Sequence, residues 1–118
     1  DLRVTVVGQQ VFGAYMHSTH AKKSDTPLRD ARSGYALGKV TISKANVPDK
    51  LASMCIAHTK ALGLTFGALD IIQDYQDKYW FIENNAGGQC AFVEEATGLP
   101  IGKSLADLLQ SANNLLDR

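Results

Sequence analysis

An α+β fold, in which an antiparallel sheet made from two hairpins carries helices on one face, is what this sequence predicts. Three observations predict it. Two pairs of runs rich in β-branched and aromatic residues, "RVTVV" with "VFGAYMH" and "LTFGALDII" with "KYWFIEN", are each joined by a polar turn. Stretches of helical periodicity follow the strands, giving the order β-β, helix, β-β, helix. With 118 residues, 45% of them hydrophobic and 20% charged, the chain can bury one core and is too short for two ordinary domains, so residues 1–118 read as one domain.

The elements follow in chain order. Strands are expected over Arg3 to Val7 and Val11 to His17, joined at "GQQ", where Gly8 supplies the positive φ of a tight hairpin. From Ser18 to Asn46 the pattern dissolves into Ser, Thr, Gly and Pro with Lys22, Lys23, Arg29, Arg32, Lys39 and Lys44 against Asp25 and Asp30. This reads as a long basic connection containing a short strand at Lys39 to Ile42. In "VPDKLASMCIAHTKALG" Pro48 opens a helix, Leu51, Met54, Cys55, His58 and Leu62 recur at helical spacing, and Gly63 ends it. The second hairpin, Leu64 to Asn84, comes next. "NAGGQ" then breaks the structure and "CAFVEEATG" makes about two helical turns ending at Gly98. The tail forms an amphipathic helix with Leu105, Leu108, Leu109, Ala112, Leu115 and Leu116 on one stripe.

Composition excludes several function classes. Lys plus Arg equals Asp plus Glu at 12 each, so the chain offers no basic field for nucleic acid and no polybasic surface for a membrane. Cys55 and Cys90 have no second cysteine near either and read as reduced thiols of a cytoplasmic protein, a single bridge between them being the alternative. No apolar run approaches the roughly 18 residues of a membrane span, and no charged-then-apolar leader opens the chain. "DLRVTVVG" enters directly as a strand at Asp1, which leads us to expect a piece of a longer protein.

The chemistry lies in the second hairpin. A turn centred between Gln76 and Asp77 sets Asp70 directly opposite Glu83, and alternation puts Asn85 on the same face. Like charges opposite one another are destabilising, so the arrangement invites a cation. Hard oxygen donors suit Mg²⁺ or Mn²⁺, and Mg²⁺ held by one or two carboxylates usually takes substrate phosphates as its remaining ligands. The bland alternative is a pair of solvated surface carboxylates, and a one-residue slip in register would separate them. The same alternation turns Trp80 and Ile82 to the face opposite Glu83, where helices are expected to pack.

With these residues in place, the sequence resembles the carboxy-terminal half of an ATP-grasp ligase. "DLRVTVVG" is similar to the strand D-I/L-R-V-x-V-V-G of that superfamily, "LGLTFGALDII" to LGL-x-F/Y-G-A-I/L-D, and "FIENNAGGQ" to F-L-E-x-N-x-x-G-Q. "EEATGLPIGKSLADLL" resembles the family's closing segment. The branch it looks most like is that of ribosomal peptide maturases of the microviridin and graspetide type, next to the ligases that add glutamate to ribosomal protein. Asn84 stands where an apolar residue is usual between Glu83 and Asn85, Ala86 where proline is common, and Cys90 where an aromatic is frequent.

The resemblance implies an ATP-dependent carboxylate–amine or carboxylate–hydroxyl ligase working through an acyl phosphate on a peptide or protein carboxylate. Asp70, Glu83 and Asn85 match the magnesium ligands that bridge the nucleotide phosphates, and Arg3 matches a strand arginine that faces phosphate. Arg29 corresponds to a substrate-side arginine, with Arg32 as the competing candidate. It also implies that the other nucleotide-clamping subdomain, the amino-terminal half, is missing before Asp1, so the fragment alone is expected to bind ATP weakly and to turn over nothing. The rival reading is a non-catalytic module that binds peptide or forms a homodimer through surfaces the missing half would cover.

Other candidates read more simply as structure. His17 and His20 fall at a strand end without a carboxylate cluster and read as surface residues. Cys55 and His58, one helical turn apart, read as core packing and not as a nucleophile with its base. Gly87 and Gly88 suit both a chain reversal and a backbone cradle for phosphate. The basic stretch Lys22 to Lys44 is a solvated loop or a docking strip for a peptide.

Overall fold

The computed structural model describes residues 1–18, 40–88 and 90–116. Strands β1 (Leu2–Val7), β2 (Gln10–Ser18) and β3 (Val40–Ala45) precede helix α1 (Asp49–Ala61). Strands β4 (Phe66–Gln73) and β5 (Tyr79–Asn85) follow, and helices α2 (Ala91–Thr97) and α3 (Ile101–Leu116) close the chain. The five strands form one sheet in the order β3-β2-β1-β4-β5 with every pairing antiparallel. β1 is therefore central, and its pairing with β4 joins the two hairpins into one sheet.

The α+β class and the antiparallel sheet are those the sequence predicts. The helices, however, divide between the two faces. On one face Leu2, Val4, Val6, Leu69 and Ile71 pack with Leu51 and Cys55 of α1. On the other, Val7, Ala14, Met16, Val40 and Ile42 pack with Val93 of α2 and Ile101 of α3. The physical reason lies in β1, where Leu2, Val4, Thr5, Val6 and Val7 are all at most 3% exposed. A strand buried on both faces needs cover on both, and each such aliphatic side chain contributes about 1.5–3 kcal/mol by leaving water.

The first hairpin closes with Val7 opposite Gln10 and Gly8 at φ 62°, as expected of a two-residue turn that opens on glycine. The Gly8 amide also donates to the Thr65 carbonyl at 2.8 Å, tying this turn to the start of β4. β3 runs longer than expected, to Ala45, and thereby takes Lys44 out of the loop and into the sheet. Pro48 is the residue before α1 instead of its first residue, and Asp49 occupies the first turn, where its charge suits the helix N-terminus. At the other end the Gly63 amide donates to Lys60 O at 2.9 Å and the Leu64 amide to Thr59 O at 3.1 Å. With Gly63 at φ 74° this is a Schellman motif, so glycine ends the helix as the sequence predicts.

The buried stripe of α1 is Leu51, Cys55 and Thr59, with Met54 and Leu62 exposed, so only part of the expected apolar stripe faces the core. Met54 and His58 instead border a cavity of about 490 Å³ between α1 and the β4–β5 hairpin. In α3, Ile101 is fully buried and Leu105 and Leu108 pack on the core, whereas Leu109 and Ala112 are exposed. The side chains of Leu115 and Leu116 lie outside the described residues, as do His20, Lys22, Lys23, Asp25, Arg29, Asp30, Arg32, Lys39 and Gln89. No helix among the described residues is long and apolar enough to cross a membrane.

Candidate metal centre

The site grows from a row of side chains that crosses the sheet. In the antiparallel ladders Lys44 of β3 lies opposite Ala14 of β2, Ala14 opposite Arg3 of β1, Arg3 opposite Asp70 of β4, and Asp70 opposite Glu83 of β5. Cross-strand partners share a face, so two cations lead into two carboxylates along a single line. Arg3 Nε donates to Asp70 Oδ1 at 2.7 Å, with side-chain exposures of 14% and 35%. This charge-assisted bond offsets one of the two negative charges that the β4–β5 pairing sets side by side. It engages Oδ1 and leaves Oδ2 as the oxygen for a second cation.

Helix α2 supports the cationic end. The Arg3 guanidinium carbon lies 6.0 Å from the centroid of the Phe92 ring, at the limit of a cation–π contact. Burial first, and then the charge of Glu94, push the Cys90 thiol up, with Arg3 acting weakly in the other direction. Burial pushes Cys55 up to about 11. Both cysteines are thiols at neutral pH and neither is an activated nucleophile, so Cys55 and His58 are not a nucleophile with its base. His17 is exposed on β2, with its ring 5.9 Å from that of Tyr15.

Asn85 lies opposite Ala68, two residues from Asp70 along β4, and so on the carboxylate face. Its Oδ1 accepts the Gly87 amide at 2.9 Å and its carbonyl accepts the Gly88 amide at 3.2 Å, so the two glycines reverse the chain directly after β5. A Cβ on Gly88 would collide with that of Ala68, which accounts for two small residues at this crossing. Glu83 and Asn85 are both exposed on β5, the edge strand.

The pairing of Asp70 with Glu83 is the expected one, but it arises differently. Near the tip Gln73 faces Tyr79, Ile72 faces Trp80 and Ile71 faces Phe81, so the turn is centred on Gln76. Asp74 Oδ1 accepts the amides of Gln76 and Lys78 at 2.8 and 2.9 Å, and Asp77 adopts φ 60°. A bulge at Ile82 then adds one residue and restores the register in which Asp70 meets Glu83.

The bulge corrects the expectation for Trp80 and Ile82. Trp80 pairs with Ile72 and thus shares the face of Asp70, with its Nε1 donating to Asp74 Oδ2 at 2.9 Å. Phe81 is the residue that turns to α1, its ring centroid 4.6 Å from that of His58, while Ile82 is 55% exposed.

Among the described residues no three His, Cys, Asp or Glu side chains gather to hold a metal ion. The candidate set reaches three only with the Asn85 amide. Two carboxylates and an amide oxygen are nevertheless the hard donors that fit Mg²⁺ when phosphates complete its coordination. Sequence reasoning missed Lys44 as a member of the row. The signal was present in "KVTISKA", whose alternation extends the strand through Lys44.

Comparison with known proteins shows the family to which this fold belongs. A family model described as a RimK-like ATP-grasp domain matches residues 1–109. No curated protein matches the chain. Among solved structures, a Chryseobacterium gregarium RiPP-associated ATP-grasp ligase in complex with ADP and a leader and core peptide superimposes with a TM-score of 0.76 at 31% identity. That match covers 94% of this chain and 33% of the ligase. Macrocyclase MdnC from Microcystis aeruginosa MRC, bound with precursor peptide MdnA, gives 0.72 at 25% identity over 94% and 33% of the two chains. ATP-grasp ligase PsnB, complexed with a phosphomimetic variant of a minimal precursor, Mg and ADP, gives 0.72 over 93% and 31%, and at 20% identity it bears on the fold alone. The chain thus spans about a third of the length of these structures. With the matching family model covering nearly the whole chain and the same fold recurring in ligases of ribosomal peptides, the chain belongs to the RimK-like ATP-grasp family.

Proposed function

We propose that this chain forms the Mg-ATP-binding half of an ATP-dependent carboxylate–amine or carboxylate–hydroxyl ligase acting on a peptide or protein carboxylate. The observation that carries the reading is the row Arg3, Asp70 and Glu83, which sets one cation beside two carboxylates on a sheet face. The precursor peptides bound to MdnC and to the Chryseobacterium ligase support a peptide substrate, and the ADP bound to the latter supports the nucleotide.

In this reading Asp70, Glu83 and Asn85 hold Mg²⁺, with Mn²⁺ as the alternative ion. The bound ion supplies charge neutralisation for the transferring phosphoryl group. Arg3 faces the phosphates and shares its charge between them and Asp70, so that negative charge developing on the phosphoryl oxygens meets a fixed donor. Asp70 fixes the guanidinium through Oδ1, so little reorganisation is needed as that charge develops. The Gly87 amide holds the Asn85 side-chain oxygen and the Gly88 amide its backbone carbonyl. The transferred phosphoryl group activates the peptide carboxylate as an acyl phosphate, which an amine or hydroxyl then attacks with release of phosphate. Arg29, or Arg32 in its place, meets the substrate carboxylate. A second subdomain, the amino-terminal half of the clamp, covers the other side of the nucleotide, and this chain by itself is inactive.

The test is titration of Mg²⁺ with a non-hydrolysable ATP analogue into the wild-type protein and the Asp70→Asn, Glu83→Gln variant, followed by NMR of residues 66–89. Metal-dependent shifts at Asp70, Glu83 and Asn85 that vanish in the variant are the expected result. A full-length folded protein that shows none of them refutes the assignment.

A further inference from the structure

Asn84 lies between the two β5 residues assigned to the metal, and its side chain goes to the other face of the sheet. There Nδ2 donates to Thr59 Oγ1 of α1 at 3.0 Å and lies 3.2 Å from His58 Nδ1, which accepts when the ring proton is on Nε2. Thr59 is 1% exposed, and its hydroxyl proton is committed to the Cys55 carbonyl at 2.8 Å, so a lone pair of Oγ1 faces the amide. Asn84 Oδ1, in contrast, is buried and has no hydrogen-bond partner among the described residues. It rests against Gly67, where a Cβ would collide with it and would stand 3.0 Å from both Asn84 Nδ2 and Thr59 Oγ1.

This arrangement is a poor device for stability. A buried carbonyl without a partner costs about as much as one or two of the neighbouring hydrogen bonds return. An apolar side chain of similar size would fill the space under α1 without that penalty. Position is another matter. Among the described residues β5 is an edge strand with a neighbour on one side only, and the bulge at Ile82 interrupts the ladder immediately before Glu83. Neither the hairpin tip nor a second neighbouring strand fixes the rotation of the segment Glu83 to Asn85 about its own axis.

We propose that Asn84 is a positioning residue, an amide latch that holds β5 to α1 through Thr59 and His58 and so sets the angle at which Glu83 and Asn85 meet Asp70. The inference rests on reading those three residues as the metal ligands. Alternation makes the coupling direct, because a strand rotated at Asn84 carries both flanking side chains with it.

The experiment compares Asn84→Leu and Thr59→Val with wild type in the full-length protein, reading thermal stability and Mg²⁺-dependent affinity for the ATP analogue separately. Asn84→Ala, which adds no bulk against Gly67, guards against a steric failure of the leucine. The expected result is a melting temperature equal to or above wild type for Asn84→Leu, together with affinity about tenfold to a hundredfold weaker, the range found when groups that orient metal ligands are removed. Thr59→Val shifts affinity in the same direction, and the double variant is no weaker than the weaker single. Affinity at the wild-type level, or affinity and stability that fall together in all variants, overturns the latch. If the wild-type protein takes no Mg-nucleotide, the ligand assignment has failed instead, and the latch is then judged in the free protein. There, amide hydrogen exchange at Glu83 and Asn85 about tenfold faster in Asn84→Leu supports it, and unchanged exchange overturns it.

Discussion

Replacing Arg3 by methionine removes the cation that, among the described residues, is bonded to the carboxylate pair, while keeping most of the side-chain length. The Arg3 side chain is 14% exposed and bonds Asp70 at 2.7 Å, whereas Asp70 is 35% exposed. A hydrogen bond to a charged group contributes about 1.5–3 kcal/mol when well buried, and because water reaches Asp70 we place this one at the lower end, about 1–2 kcal/mol. Without the guanidinium, Asp70 and Glu83 also repel across the ladder, which adds up to about 1 kcal/mol. The expected destabilisation is therefore about 2 kcal/mol, measured by urea unfolding in chelator. A double-mutant cycle with Asp70→Ala should return a coupling of about 1–2 kcal/mol, since each single change removes the same bond. Added Mg²⁺ should stabilise Arg3→Met more than wild type, because the ion takes over the neutralisation that arginine supplied. A coupling near zero, or Mg²⁺ that stabilises both proteins equally, would refute the claim that Arg3 balances this pair.

Two other expectations follow from the thiols and the hairpin tip. Cys55, pushed up to about 11 by burial, favours the folded state while protonated; the stability it confers is full below the ordinary thiol pKa of 9.0 and is lost as pH rises through 11. The loss is on the order of 2 kcal/mol and should be absent from Cys55→Ala, as read by denaturation at pH 8, 9, 10 and 11. Asp74 is held below the usual carboxylate range first by the Trp80 indole, then by the amides of Lys78 and Gln76. Trp80→Phe should raise it towards the ordinary value, visible in an NMR titration of the side-chain carboxyl; an unchanged midpoint would show that the indole bond does not form in solution.

How much could be read from residues alone depended on how local the determinants were. Gly8, Gly63 and Gly98 marked their turns and helix ends because a backbone conformation at one residue decides each of them. The two-sided burial of β1 was legible in "VTVV", which does not alternate with polar residues, but the expectation of a single helix layer passed over it. Asp70 opposite Glu83 was reached from a turn centred half a residue too late, a shift of one residue in pairing, and from a ladder without a bulge, and these two offsets cancel. Nothing at Ile82 announces a bulge, so the face of Trp80 could not have been derived. The bond between Arg3 and Asp70 was out of reach for another reason: it depends on β1 lying beside β4, a contact between hairpins that no local pattern encodes. The partner of Asn84 on α1 is long-range in the same way.

The extra residue at Ile82 also divides the hairpin into two pieces with separate freedoms. On the tip side, the turn around Asp74 can gain or lose a residue and the consequences end at the bulge. On the base side, Glu83, Asn84 and Asn85 keep their alternation whatever the tip does. A chain built this way can elaborate the loop beyond Gln73, to meet a new partner or substrate, without recalibrating the carboxylates. A change in the number of residues between Asp70 and Glu83 can thus be absorbed at the tip, while the spacing from Glu83 to Asn85 is set at two by the pleat of a single strand.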